Sequence, residues 1–238
     1  MLNIIFDLDD TLYDTAKPFF QVLDRYMPER GCSDARSYAL FREHCDIAFE
    51  LFAAGKLTLA ESHVMRTQGT FAELGQQLDA ENAYRFQLDY QSMQGKIRLS
   101  SAMTQMLDKL KNKNANLSIF TNGPEKHQMM KYEALGLEKW FPRSRMFISE
   151  SIGYAKPHPE AFAFVEKALH ADKEEILFIG DSLDNDILGG QGAGWSTVWF
   201  NHRQQDDRNG GWADVTVHSL TEMHAAINEK MQSSNKGE

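Results

Sequence analysis

Cysteine is scarce in this chain. Cys32 and Cys45 are the only two among 238 residues. They fit neither a zinc pattern nor a disulfide framework, so they read as free thiols of a reducing compartment. Long apolar runs are missing as well, and none approaches the roughly 20 residues that cross a bilayer. That excludes a membrane partner of the helix-spanning kind, including an ion pump. The N-terminus lacks the basic start and apolar stretch of a signal peptide, and a cytoplasmic location is expected. Basic excess is absent too. A formal net charge of −9 leaves no surplus of Lys and Arg to displace counterions from a phosphate backbone, so no nucleic-acid polymer is expected as a partner. Internal repeats are not visible, and the oligomeric state stays open.

What remains is a chain of ordinary globular composition, 42% hydrophobic and 25% charged. Short apolar runs recur at Ile4–Phe6, Leu117–Phe120, Met146–Ile148, Ile176–Ile179 and Thr197–Phe200. Their length and their β-branched residues predict buried strands. Helical patterns alternate with them. One follows Ser100 as N-cap, one runs from Glu125 to Leu135 and stops at Gly136, and one covers Pro157 to Leu169. Strand–helix alternation predicts an α/β fold with a parallel sheet and helices on both faces. From Thr15 to about Met93 the alternation stops, and only helical patterns appear. These include the faces Phe19–Tyr26 and Leu40–Phe52, a pattern from Thr58 to Leu78, and another from Ala80. We expect a catalytic core at 1–14 and 95–231, an inserted helical subdomain at 15–94, and a frayed polar tail at 232–238. The stretch Gln204–Gly211 reads as a loop. The aromatic and methionine stripes of the insert read as core packing.

Four polar clusters stand at strand ends, where open α/β sheets collect chemistry. Asp7 and Asp9 alternate just past Ile4–Phe6, and their repulsion is tolerable only beside a cation or a proton-transfer role. One carboxylate can attack a phosphoryl group; a second can protonate the leaving oxygen. Asp10 reads better as a loop acid, and Thr11 as the cap of a turn. Thr121-Asn122-Gly123 offers a hydroxyl and backbone N–H groups at a strand-to-helix turn, suited to phosphate oxygens. Lys156 is a point charge for phosphate, although taken alone it reads as a solvated surface lysine, and Pro157 can open the next helix. Asp181 and Asp186 follow Ile176–Ile179 and suit Mg²⁺, which takes one or two carboxylates. Asp184 reads as a helix-start acid. Gly189, Gly190, Gly192 and Gly194 suggest close helix–sheet packing.

Together and in this order, Asp7-Leu8-Asp9-Asp10-Thr11, Thr121-Asn122-Gly123, Lys156-Pro157 and Gly180-Asp181…Asp186 resemble the four motifs of the haloacid-dehalogenase superfamily. The helical insert resembles its type 1 cap. The resemblance implies a Rossmann-like, doubly wound parallel sheet with the first strand central, and Mg²⁺-dependent phosphatase activity. It implies Asp7 as nucleophile and Asp9 as general acid/base. Thr121, Asn122, Gly123 and Lys156 would bind phosphate. Asp7, the backbone carbonyl of Asp9 and Asp181 would bind Mg²⁺, supported by Asp186. The stretch Ile119 to Gly194 is similar to the bacterial nucleotidase branch, which implies nucleoside 5′-monophosphates, often pyrimidine ones, as the small phosphorylated partners. The N-terminal motif is equally similar to sugar-phosphate and flavin-mononucleotide phosphatases. A phosphomutase, a dehalogenase and a catalytically silent binding protein on the same fold are the other readings. The insert is expected to close over the site. Tyr13, Phe19, Phe20 and Phe49 could face a base, with packing the expected role of each. His158, where an aspartate is common in relatives of the superfamily it resembles, reads as a helix-start substitution.

Overall fold

Asn3–Phe6 (β1) is buried along its whole length, the burial expected of a strand covered on both faces. It forms the middle of a six-stranded parallel sheet in this computed structural model, which describes residues 2–208 and 210–234. The other strands are β2 (Asn116–Thr121), β3 (Met146–Ile148), β4 (Ile176–Gly180), β5 (Ser196–Phe200) and β6 (Val215–Val217). Their spatial order is β3-β2-β1-β4-β5-β6. The chain leaves β1 for one side of the sheet and later returns to the other side with β4. That reversal opens the crevice in which α/β enzymes of the Rossmann type place their ligands. The five anticipated strands are present. β6 is an addition: it has three residues, with Val215 and Thr216 exposed, too short and too open for an apolar run to mark it.

The helices after β1 are α1 (Ala16–Tyr26), α2 (Asp34–Ala53), α3 (Leu59–Glu73) and α4 (Ala80–Gln94). Those flanking the sheet are α5 (Ser101–Asn112), α6 (Glu125–Ala134), α7 (Ser149–Ile152), α8 (Pro159–Leu169), α9 (Gly189–Ala193) and α10 (Leu220–Ser234). By compactness the chain divides into 1–14 with 98–238, and 15–97. Among the described residues no helix is long and apolar enough to cross a membrane.

The sheet unit packs Ile5, Phe120, Phe162, Phe178 and Trp195 into one buried cluster. Its glycines do what close packing requires. A Cβ on Gly189 would sit 2.5 Å from the Phe162 ring, and one on Gly190 2.9 Å from the Thr197 methyl. The expected tail is shorter than anticipated. α10 runs through Gln232 to Ser234, anchored upstream by buried Met223 and Ile227, and the Ser233 hydroxyl donates to the Glu229 carbonyl. Residues 235–238 lie outside the described residues.

The helical unit closes around rings. Phe19 stacks on Phe41 with centroids 4.4 Å apart, and Phe71, Phe86, Tyr38 and Tyr90 complete the cluster. Phe19 is fully buried and Phe20 packs against the same cluster, so packing is their role. Thr58 and Glu61 form a reciprocal cap at the start of α3, which satisfies two backbone donors at once. The run expected to reach Leu78 ends at Glu73, because Gly75 takes φ +87 and turns the chain.

Candidate active site

The sheet register delivers the site. Phe6 pairs with Ile119 on one side and Ile179 on the other, so β1, β2 and β4 end at one level. Asp7 continues that line, its N–H donating to the Ile179 carbonyl at 2.8 Å. Thr121 closes β2 and Gly180 closes β4. Asp181 follows directly, and Asp186 comes back on a π-helical turn, Leu183–Leu188. Gly180 makes that return possible, since a Cβ there would meet the Asp186 carboxylate at 2.3 Å. The Ser182 N–H then holds Asp186 at 3.0 Å.

Lys156 is the centre of charge. It is buried, and its Nζ donates to Asp7 Oδ1 at 2.7 Å, Asp186 Oδ1 at 2.6 Å and the Phe120 carbonyl at 2.9 Å. Burial works against the ammonium, but Asp186 and Asp7 outweigh it and lift Lys156 above the ordinary lysine range. Asp7 is pushed up to about 7: burial dominates, Lys156 opposes it, and the charges of Asp186 and Asp9 add to the rise. Thr11, expected only to cap a turn, also reaches this group, its hydroxyl 3.4 Å from Asp181 Oδ1. Asp10 is buried and paired with Arg203 at 2.8 Å, a structural acid as anticipated. Asp184 stands at the start of its turn and pairs with Arg208. The helix expected from Pro157 begins at Pro159, and His158 occupies its N-cap position with no side-chain hydrogen bond to the helix backbone.

Asp7, Asp181 and Asp186 place carboxylate oxygens within 4.8 Å of one another, all buried. Three carboxylates crowded into a low-dielectric site form an all-oxygen donor set, which suits a hard divalent cation. The residues therefore fit Mg²⁺.

Asp9 faces different partners. Lys131 Nζ lies 2.7 Å from both of its carboxylate oxygens, Gln128 Nε2 lies 3.1 Å from Oδ2, and the Tyr13 hydroxyl donates to Oδ1 at 2.5 Å. Burial alone would raise this acid, yet Lys131 together with the Tyr13 and Gln128 hydrogen bonds holds it well below the usual carboxylate range. Two of the expected phosphate ligands are engaged within the protein. The Asn122 side chain exchanges hydrogen bonds with the Lys156 backbone at 2.9 and 2.8 Å, and the Gly123 N–H donates to Ser149 Oγ at 2.9 Å. They build the turn that presents the Thr121 hydroxyl.

Tyr13, read from the sequence as packing or as facing a base, instead donates to Asp9. Gln128, Lys131 and Ser149 escaped the sequence reading. A signal for two of them was there. Gln128, Lys131, Tyr132 and Leu135 fall at i, i+3, i+4 and i+7, the stripe a helix turns inward. All four are buried, and two of them are polar.

The fold and site define an α/β enzyme with acids, a lysine and a threonine gathered at the carboxyl ends of central parallel strands. A sequence model for haloacid dehalogenase-like hydrolases matches residues 1–194. Pyrimidine 5′-nucleotidase PynA of Streptococcus pneumoniae is 30% identical over 92% of each chain. Pyrimidine 5′-nucleotidase YjjG of Escherichia coli is 36% identical over 48% of this chain, a match spanning half of its own length. The crystal structure of Bacillus subtilis YfnB bound to magnesium superposes with a TM-score of 0.71 and 26% identity, over 95% of this chain and 98% of the other. The chain belongs to the haloacid dehalogenase-like hydrolase family.

Proposed function

We propose that this hydrolase is a Mg²⁺-dependent phosphomonoesterase that works through an aspartyl-phosphate and prefers nucleoside 5′-monophosphates, pyrimidine ones first. The observation that carries the chemistry is Asp7 at the end of the central strand, held by buried Lys156 at 2.7 Å. Lys156 and Thr121 would hold the phosphoryl oxygens. Asp7 attacks phosphorus, and the bond from phosphorus to the leaving oxygen breaks. For this step Asp9 must first take up a proton from solvent, because its Lys131, Tyr13 and Gln128 partners hold it ionised in the resting site. The acid form then gives that proton to the leaving oxygen. Asp9, now a carboxylate, takes a proton from water as the water oxygen attacks the aspartyl-phosphate. The bond to Asp7 breaks, phosphate leaves, and both acids return to their starting states once Asp9 gives its proton back to solvent. Asp7, the Asp9 carbonyl and Asp181 would hold Mg²⁺, with Asp186 steadying its surroundings. Bound there, the ion would offset the acid charge and withdraw electrons from the phosphoryl oxygens. In this reading the helical unit at 15–97 serves as the type 1 cap.

The substrate assignment draws support from the two pyrimidine 5′-nucleotidases among the relatives. A panel of pyrimidine and purine monophosphates, flavin mononucleotide and hexose phosphates tests it. The expected outcome is the highest kcat/KM on a pyrimidine monophosphate. A preference for flavin mononucleotide or a hexose phosphate would overturn the nucleotide assignment and leave the phosphatase chemistry standing. Return of the phosphoryl group to a sugar instead of water would mark a phosphomutase.

A further inference from the structure

We infer that Lys131 and Gln128, one turn apart on α6, are positioning residues for Asp9. They hold its carboxylate on the α6 side of the site and tie it to the Thr121 turn. The inference rests on the acid/base reading of Asp9.

Three observations lead to it. First, the two buried lysines divide the acids between them. Lys156 pairs with Asp7 and Asp186, while Lys131, only 4% exposed, pairs with Asp9. The Asp9 carboxylate stays outside the Asp7–Asp181–Asp186 group and keeps a counter-ion of its own. An unpaired ammonium on that buried face of α6 would be costly, so the lysine and the acid need each other. Second, Gln128 is a bridge. Its Nε2 reaches Asp9 Oδ2 at 3.1 Å, the Thr121 hydroxyl at 2.9 Å and the Asn122 carbonyl at 2.6 Å. The opposite placement of the amide would set its oxygen against a carboxylate and a carbonyl, two groups that can only accept. The buried Oε1 has no partner among the described residues. All of the amide's bonding therefore goes into joining Asp9 to the phosphate-side turn. Third, the donors approach from separate elements: Lys131 and Gln128 from α6, and Tyr13 from the segment after β1. A carboxylate with donors on both oxygens is fixed in rotation as well as in place.

Proton transfer depends on such placement within a few tenths of an ångström. A residue that positions Asp9 should matter where the leaving oxygen needs a proton and matter little where it does not. The test uses the full-length enzyme with Mg²⁺ and two substrates. One is p-nitrophenyl phosphate, whose leaving group departs unaided, and the other is the alkyl monoester that the substrate panel ranks first. Lys131→Met is expected to lower kcat on the alkyl ester by about 10–100-fold, a part of the full acid/base contribution. On the aryl ester the loss should be under about 3-fold, with KM unchanged on both. Gln128→Leu should show the same split, and it carries the test if Lys131→Met does not fold. In the Asp9→Asn background either substitution should cost almost nothing further, since groups that act as one unit are not additive. Equal losses on both esters, or full additivity with Asp9→Asn, would overturn the inference and leave Asp9's own role intact. Unimpaired alkyl-ester turnover by Asp9→Asn alone would instead overturn the reading of Asp9 on which the inference stands.

Discussion

At the scale of single residues, the site works by placing acids where their charges are uncomfortable. Asp7 illustrates this. Burial raises it to about 7 even with Lys156 at 2.7 Å. An acid raised in the folded state contributes its stability at low pH. That contribution is complete below the ordinary value of 3.8 and is lost as pH rises through about 7. Asp7→Asn keeps the shape and removes the charge. In chelator, we expect the variant to melt at a higher temperature than wild type at pH 8. The gap should shrink as pH falls from 7 toward 4. Turnover should drop at least about 10⁴-fold, the scale on which nucleophile removal is felt. Thermal melts across pH and a phosphate-release assay check the two halves. A variant less stable than wild type at pH 8 would contradict the account of Asp7's burial, and near-normal turnover would contradict the covalent route.

At the scale of elements, polar residues sit inside helices that would otherwise read as simple amphipathic segments. α6 turns Gln128 and Lys131 inward, and α3 buries His63. Burial, with a smaller push from the Arg66 charge, depresses His63 to about 3. The unfolded chain titrates near 6.5, so the folded protein resists a proton that the unfolded one accepts. Stability from this group is present above 6.5 and is lost as pH falls toward 3. His63→Gln removes that dependence. The difference in melting temperature between wild type and His63→Gln should move against wild type from pH 7.5 to 5. A constant difference over that range would show that His63 takes up protons equally well in both states.

At the scale of the whole molecule, the sheet unit holds the entire described acidic cluster, and its parts come from distant stretches of chain. Lys156 meets Asp7 across 149 positions, and Lys131 meets Asp9 across 122. A cation that binds only the assembled cluster must stabilise the fold by mass action. At a hundredfold excess over its Kd, Mg²⁺ should add about 2.7 kcal/mol. Calorimetry with Mg²⁺ and with chelator measures this without any substrate. Asp181→Asn should abolish most of the gain while leaving the metal-free melting temperature within a few degrees of wild type. A full Mg²⁺ response in that variant would remove Asp181 from the metal set.

Much of this was legible in the chain itself, because the signals are local. A short apolar run cut off by an acid is a buried strand with its carboxyl end at a polar edge. Asp7, Thr121 and Asp181 could be placed there without any knowledge of what lay beside them. The crowding behind Gly189 and Gly190 and the packing of Phe19 were equally readable, since steric fit and ring burial follow from residue type. The partners were not readable. Helical spacing could put Gln128 and Lys131 on the inward stripe of α6, but only tertiary packing brings that stripe to Asp9 and makes them its partners. Nor could local pattern assign Lys156 to Asp7 and Asp186, or supply β6. Those outcomes depend on strand order and register. Sequence spacing sets which chemical groups reach the strand ends, while the tertiary structure decides which charges meet there.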